Sequence, residues 1–159
     1  MTKATHLASG LLTSCVAIDA YTHGNLHNML VPQKAVETTA LSLVILLGSV
    51  FPDYDLGYPF KWLFKHRTYL HWFPIYLALF AAGAIARCLY LIWFSTACLL
   101  HLLLDATTVM GVPGIKYPRG DKFTHHGLKL VHTGSLADRL TGAAFLLGGC
   151  IYAWIRFAT

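Results

Sequence analysis

Charge is what this sequence has least of. Asp, Glu, Lys and Arg make up 12% of its 159 residues, about half the roughly 25% of an ordinary soluble domain. A chain with so few ionic groups and a hydrophobic fraction of 56% cannot cover a water-facing surface, so the membrane class leads. Paired cysteines are missing too: Cys15, Cys88, Cys98 and Cys150 all lie in apolar runs without a C-x-x-C pair. That pattern disfavours zinc or disulfide roles and suggests packed thiols. Repeats and low-complexity segments are absent. The opening MTKATHLASGLLTSCVAIDA has no unbroken apolar core and no clean small-residue cleavage site, and reads as a retained first helix rather than a signal peptide. The net charge of +5 suits positive-inside topology and anionic lipid, and no nucleic-acid partner is expected.

What is present in abundance is apolar sequence. Five runs stand out, at about 6–20, 38–52, 71–86, 88–108 and 139–157. Crossing the hydrocarbon takes about 20 apolar residues, with roughly 17 as a lower bound. The last three runs are credible spans, while the second is short, and a tight helical hairpin around Gly83–Arg87 separates the third from the fourth. Backbone groups in lipid must be satisfied within their own segment, so these runs are helices. Gly10, Ser14, Gly142, Gly148 and Gly149 are small residues that would let helices approach closely. The expected fold is therefore an all-α integral membrane bundle of about five transmembrane or membrane-embedded helices, in one domain over 1–159.

Topology follows from the basic residues. Lys3, Lys61, Lys65, Arg67, Lys116, Arg119, Lys122, Lys129 and Arg139 fall to one side, and Lys34, Arg87 and Arg156 to the other. The richer side is the cytoplasmic one, which puts the N-terminus inside and the C-terminus outside the membrane. On that arrangement His6, Asp53, Asp55, His66, His71, His101, Asp105, His125, His126, His132 and Asp138 all lie toward the same face. Random scatter would divide them between the two faces.

His101 and Asp105 stand four apart in the apolar stretch CLLHLLLDA, so they share one face of a helix. An unpaired buried carboxylate is costly, and a shared cation would neutralise Asp105. Asp53 and Asp55 follow Pro52, from a loop that could turn both inward. Histidine nitrogens with carboxylate oxygens suit zinc, manganese or iron better than calcium. The bland readings are a plain hydrogen-bonded His–Asp pair, and an interfacial His71 beside Trp72. Thr107 or Thr108 could orient a ligand or simply bond back to its helix. Ser135-Leu-Ala-Asp138 reads as a capping box, with Asp138 as an outer metal ligand as the alternative. Lys122, His125, His126 and Lys129 form a basic loop that either binds phosphate or is merely solvated.

The blocks H6-x-x-x-G10, P52-D-x-D55, H66-R67-T-Y-L-H71, H101-x-x-x-D105-x-x-T108-x-x-G111 and G134-S135-x-x-D138 resemble, in this order, the YdjM-type family of LexA-binding, inner-membrane-associated metal-dependent hydrolases. Thr68, Leu70 and Trp72 depart from the family's usual third block, and Asp138 stands where Glu is common. The resemblance implies an inner-membrane hydrolase, with a repressor contact suggested by the family name alone.

Three readings follow. A membrane hydrolase would bind one or two divalent ions, zinc foremost, through His6, Asp53, Asp55, His66, His71, His101 and Asp105. It would act on a phosphate ester or acyl linkage of a lipid or lipid-linked substrate. His66 or His71 would then be general acid or base beside Arg67, and Arg67, Thr108, Lys122, His125, His126 and Lys129 would hold the substrate. A metal-binding transporter would instead want ionisable groups near the midplane, which the sequence does not supply. A non-catalytic partner-binding protein would have no use for so many inward His and Asp residues.

Overall fold

The computed structural model describes residues 1–25, 31–56, 69–114 and 125–157. Among them are five α-helices: α1 (Lys3–Asn25), α2 (Val31–Val50), α3 (Phe73–Ile85), α4 (Leu89–Ala106) and α5 (Leu136–Phe157). A six-residue 3-10 helix, Phe51–Leu56, continues α2, and a single 3-10 turn, Tyr69–His71, leads into α3. The class is all-α. Strand pairing among the described residues is a two-residue ladder, β1 (Val112–Pro113) against β2 (His125–His126), with an isolated bridge between Thr108 and Val131.

Packing runs in the order α5, α1, α2, α4, α3, each helix lying mainly against its neighbours in that series. Close approach has identifiable causes. A Cβ on Gly10 would come within 2.6 Å of Ser49 Oγ, and one on Gly48 within 2.6 Å of the Phe94 carbonyl oxygen. Glycine is what lets α2 sit tightly against both α1 and α4. The apolar core is thin: Ala17, Leu41, Ile45 and Ala97 form one cluster, and Tyr76, Cys98 and Leu102 another. All four cysteines are free, but only Cys98 is buried, and Cys88 and Cys150 are exposed rather than packed.

The hairpin expected around Gly83–Arg87 is a Schellman turn. The Cys88 N–H donates to the Gly83 carbonyl and the Arg87 N–H to the Ala84 carbonyl, satisfying two of the last free acceptors of α3. Arg87 takes a φ of 52° at the position where glycine is usual.

Two boundaries differ from expectation, and they change which helices are long enough to cross a bilayer. The second run starts at Val31, not 38, because Pro32 fits a first helical turn and the polar residues after it sit in the helix. Gln33–Tyr54 then becomes long and apolar enough to span, as does Leu89–Ala106. The third run is a 13-residue helix, roughly 20 Å at 1.5 Å per residue against a hydrocarbon thickness of about 30 Å. The fifth, although 22 residues long, is not apolar enough to qualify among the described residues.

Candidate metal centre

Four separate pieces of chain meet at one end of the bundle. His6 comes from the second turn of α1, Asp53 from the 3-10 extension of α2, His71 from the turn before α3, and His101 with Asp105 from the last two turns of α4. Each is buried. Local sequence explains the placements. Pro52 ends the regular α2 hydrogen bonding and tightens the chain into a 3-10 helix that carries Asp53 inward. The Tyr76 hydroxyl donates to the Leu70 carbonyl at 2.6 Å, pinning the turn that presents His71. The i, i+4 spacing stacks His101 and Asp105 on one face of α4.

The donor atoms converge. His71 Nε2 lies 3.5 Å from Asp53 Oδ1 and 3.5 Å from Asp105 Oδ2, and His101 Nε2 lies 3.7 and 3.8 Å from the same two atoms. One ligand atom from each of Asp53, His71, His101 and Asp105 falls within 4.8 Å of every other. His6 borders this set, with Nε2 3.3 Å from Asp105 Oδ1 and its ring stacked on His101 at 3.6 Å between centroids.

His101 has a defined tautomer. Its Nδ1 sits 2.7 Å from the Ser49 carbonyl oxygen, which can only accept, so Nδ1 carries the proton. The lone pair is then on Nε2, the nitrogen between the two carboxylates, and that atom has no hydrogen-bond partner among the described residues. Both ring nitrogens of His6 are likewise buried without one. Buried polar atoms are nearly always satisfied, so such a cluster calls for a missing partner. Asp105 is offset in a way the sequence did not suggest, because the amino group of Met1 makes an ion pair with its Oδ1.

The remaining expected site residues divide cleanly. Asp138 is buried but belongs to a different network. Its carboxylate accepts from the Thr5 hydroxyl at 2.6 Å, the Gly134 N–H at 2.8 Å and the Thr2 N–H at 3.0 Å, so it tethers α5 to α1 rather than reaching the cluster. Half of the expected capping box is present, the Asp138 N–H donating to Ser135 Oγ at 3.3 Å. Burial works against ionising Asp138, but these three donors together hold its carboxyl below the usual carboxylate value. Thr108 is buried and donates to the Asp105 carbonyl at 2.7 Å, the helix back-bonding expected as one use of this residue. His126 and Lys129 are exposed and outside the cluster. Their segment closes the end of α4, with the Leu128 N–H on the Ala106 carbonyl and the Leu130 N–H on that of Thr107. His66, Arg67 and Lys122 lie outside the described residues, as do the side chains of Asp55 and His125.

Besides the Met1 amino group, two participants were missed from the sequence. The Ser49 carbonyl is a backbone atom that no residue letter announces. Lys3, counted only for topology, lines a cavity of about 330 Å³ with Leu7, Val50, Asp53 and Tyr54, directly beside the cluster.

Nitrogen and carboxylate donors, buried and mutually close, could hold a first-row divalent ion. No curated protein and no solved structure matches this chain. A family model described as "YdjM inner membrane protein" matches residues 1–158. The chain belongs to the YdjM inner membrane protein family.

Proposed function

We propose that the protein is a membrane-embedded, metal-dependent hydrolase. It would act at the cytoplasmic face on a phosphate ester or acyl linkage of a lipid-like substrate. The observation that carries the metal is His101: its Nδ1–H is committed to Ser49, and its Nε2 lone pair faces two carboxylates with no donor to meet it. Metal-bound histidines characteristically donate their other nitrogen to a carbonyl or carboxylate in this way. Asp53, His71, His101 and Asp105 would hold the cation, with His6 completing the set beside Asp105. Zinc fits this nitrogen and oxygen set best, with manganese or iron also compatible.

A bound divalent ion supplies Lewis-acid activation of water near neutral pH and polarisation of the scissile group. The chain supplies the rest. Asp53 and Asp105 bring negative charge to the cation, Ser49 orients His101, and burial excludes competing solvent from all but the Asp53 side, where the cavity lies.

The membrane address is supported by the family and by an inverted distribution of polarity. Buried positions include Thr5, Ser9, Ser14, Ser49 and Ser95, while Leu43, Leu103, Leu140, Leu147 and Trp154 are exposed on helices. An integral bundle, in which α1, α3 and α5 lie with or against the two longer apolar helices, accommodates both facts.

The test is a lipid-extract screen by mass spectrometry with the purified, metal-analysed protein, using Asp53→Asn and chelation as controls. Metal-dependent loss of one lipid class, absent with Asp53→Asn, is the expected result. Full metal loading with every lipid class unchanged would sink the hydrolase reading.

A further inference from the structure

The cavity beside the metal centre has a polarity of its own. Asp53 forms part of its wall, and Lys3 supplies its only cation among the described lining residues. The Lys3 side chain is exposed and has no ion pair or hydrogen bond among the described residues. Away from this charged end the surroundings are apolar. Lys3, Leu7 and Leu11 recur every four residues on one face of α1, and Leu43, Leu47 and Val50 share one face of α2. Leu7, Leu11, Leu43 and Leu47 are exposed, between 41% and 61%.

We propose that this cavity is the lateral entry and head-group site for a single-chain anionic amphiphile, with Lys3 as the anion-binding residue. The proposal rests on the hydrolase reading of the metal centre and names its substrate class. Size agrees: at about 330 Å³ the cavity is at the small end of ordinary ligand pockets, about 300–1,000 Å³, and takes a head group with the first methylenes of a chain. The rest of the chain lies along the exposed leucines, where it replaces bilayer lipid without cost to apolar burial. Charge selects the head. Asp105 is already opposed by the Met1 amino group, and on the hydrolase reading both Asp53 and Asp105 would face the bound cation. Lys3 is left as the charge to be matched, and a lysine ammonium binds a phosphate-type head as a point charge. A free anion would find the same lysine but none of the apolar contact.

The full-length protein, in non-ionic detergent, would be titrated with decyl phosphate, inorganic phosphate and decyltrimethylammonium, each corrected for partition into empty micelles. Saturable decyl phosphate binding is expected. It should weaken at least tenfold in Lys3→Glu and in Leu7→Trp, whose indole fills the cavity, with metal content and melting temperature preserved. Lys3→Gln should fall between wild type and Lys3→Glu. Inorganic phosphate should bind at least tenfold more weakly than decyl phosphate. Equal affinity for the cationic amphiphile, equal affinity for inorganic phosphate, or indifference to Lys3→Glu would each overturn the proposal. Lys3-dependent binding without any turnover would uphold this site while removing the hydrolase reading. Metal-dependent lipid turnover unaffected by Lys3→Glu would do the reverse.

Discussion

His101 uses its two ring nitrogens differently, and the difference is what suits it to hold a cation rather than serve as a buried polar residue. One nitrogen is held by the Ser49 carbonyl, and the other looks onto Asp53 and Asp105. His101→Ala and Asp105→Ala are each expected to purify without stoichiometric metal, as read by elemental mass spectrometry. Wild-type occupancy in both would make the cluster a structural network only. Ser49 cannot be tested through its side chain, but its position can. Gly10→Ala would drive a methyl group into Ser49 at 2.6–2.8 Å, which should cost about 1–3 kcal/mol of stability and weaken metal retention in a chelator competition. An unchanged melting temperature and unchanged competition curve would show that this close approach does not place the carbonyl. At this scale the sequence was legible where chemistry is written in side chains. His101 and Asp105 announce themselves as ionisable groups four apart in an apolar run. The acceptor that sets the tautomer, and the Met1 amino group beside Asp105, are backbone atoms and leave no such mark.

Between elements, Asp138 is the clearest joint. Its carboxylate gathers three donors, from Thr2 just before α1, from Thr5 within it and from the turn before α5. Asp138→Ala strands them and is expected to lower stability by about 1–3 kcal/mol. Because the folded-state carboxyl titrates below its ordinary value, near 3.9, its contribution is complete above that value. It is lost as pH falls through the depressed folded value. The melting-temperature gap between wild type and Asp138→Asn should therefore be constant near neutrality and close below about pH 4. A gap that widened on acidification would contradict the assignment. The α3–α4 turn offers a second measurement. Arg87 occupies a left-handed conformation, so Arg87→Gly should raise stability by up to about 1 kcal/mol, the relieved strain being partly offset by a freer unfolded chain. Helix existence was readable from the apolar runs, and so was the hairpin. The ends were not, because the polar first turns of α2 and α5 carry no apolar signal. Asp138's partners Thr2 and Thr5 stand more than 130 positions away, beyond the reach of any local motif.

For the molecule as a whole, a tightly held ion should act as a stabiliser of the folded state alone. Free metal at a hundredfold excess over Kd corresponds to about 2.7 kcal/mol by mass action, so chelation should lower the melting temperature of the detergent-solubilised protein and readdition should restore it. A chelator-indifferent melt would mean that the cluster holds no ion under those conditions.

The wide spacing of the ligands along the chain has a consequence for biogenesis. His6 and Asp105, 3.3 Å apart in the folded protein, leave the ribosome 99 residues apart, with Asp53 and His71 between them. Helices α1 and α2 can pair while the site is still half made. On the proposed metal reading, no early nascent chain would hold the complete set of ligands. Loading would then be the closing event of maturation, and a pulse-labelled chain should acquire chelator-sensitive protection from protease only after α4 has joined the bundle.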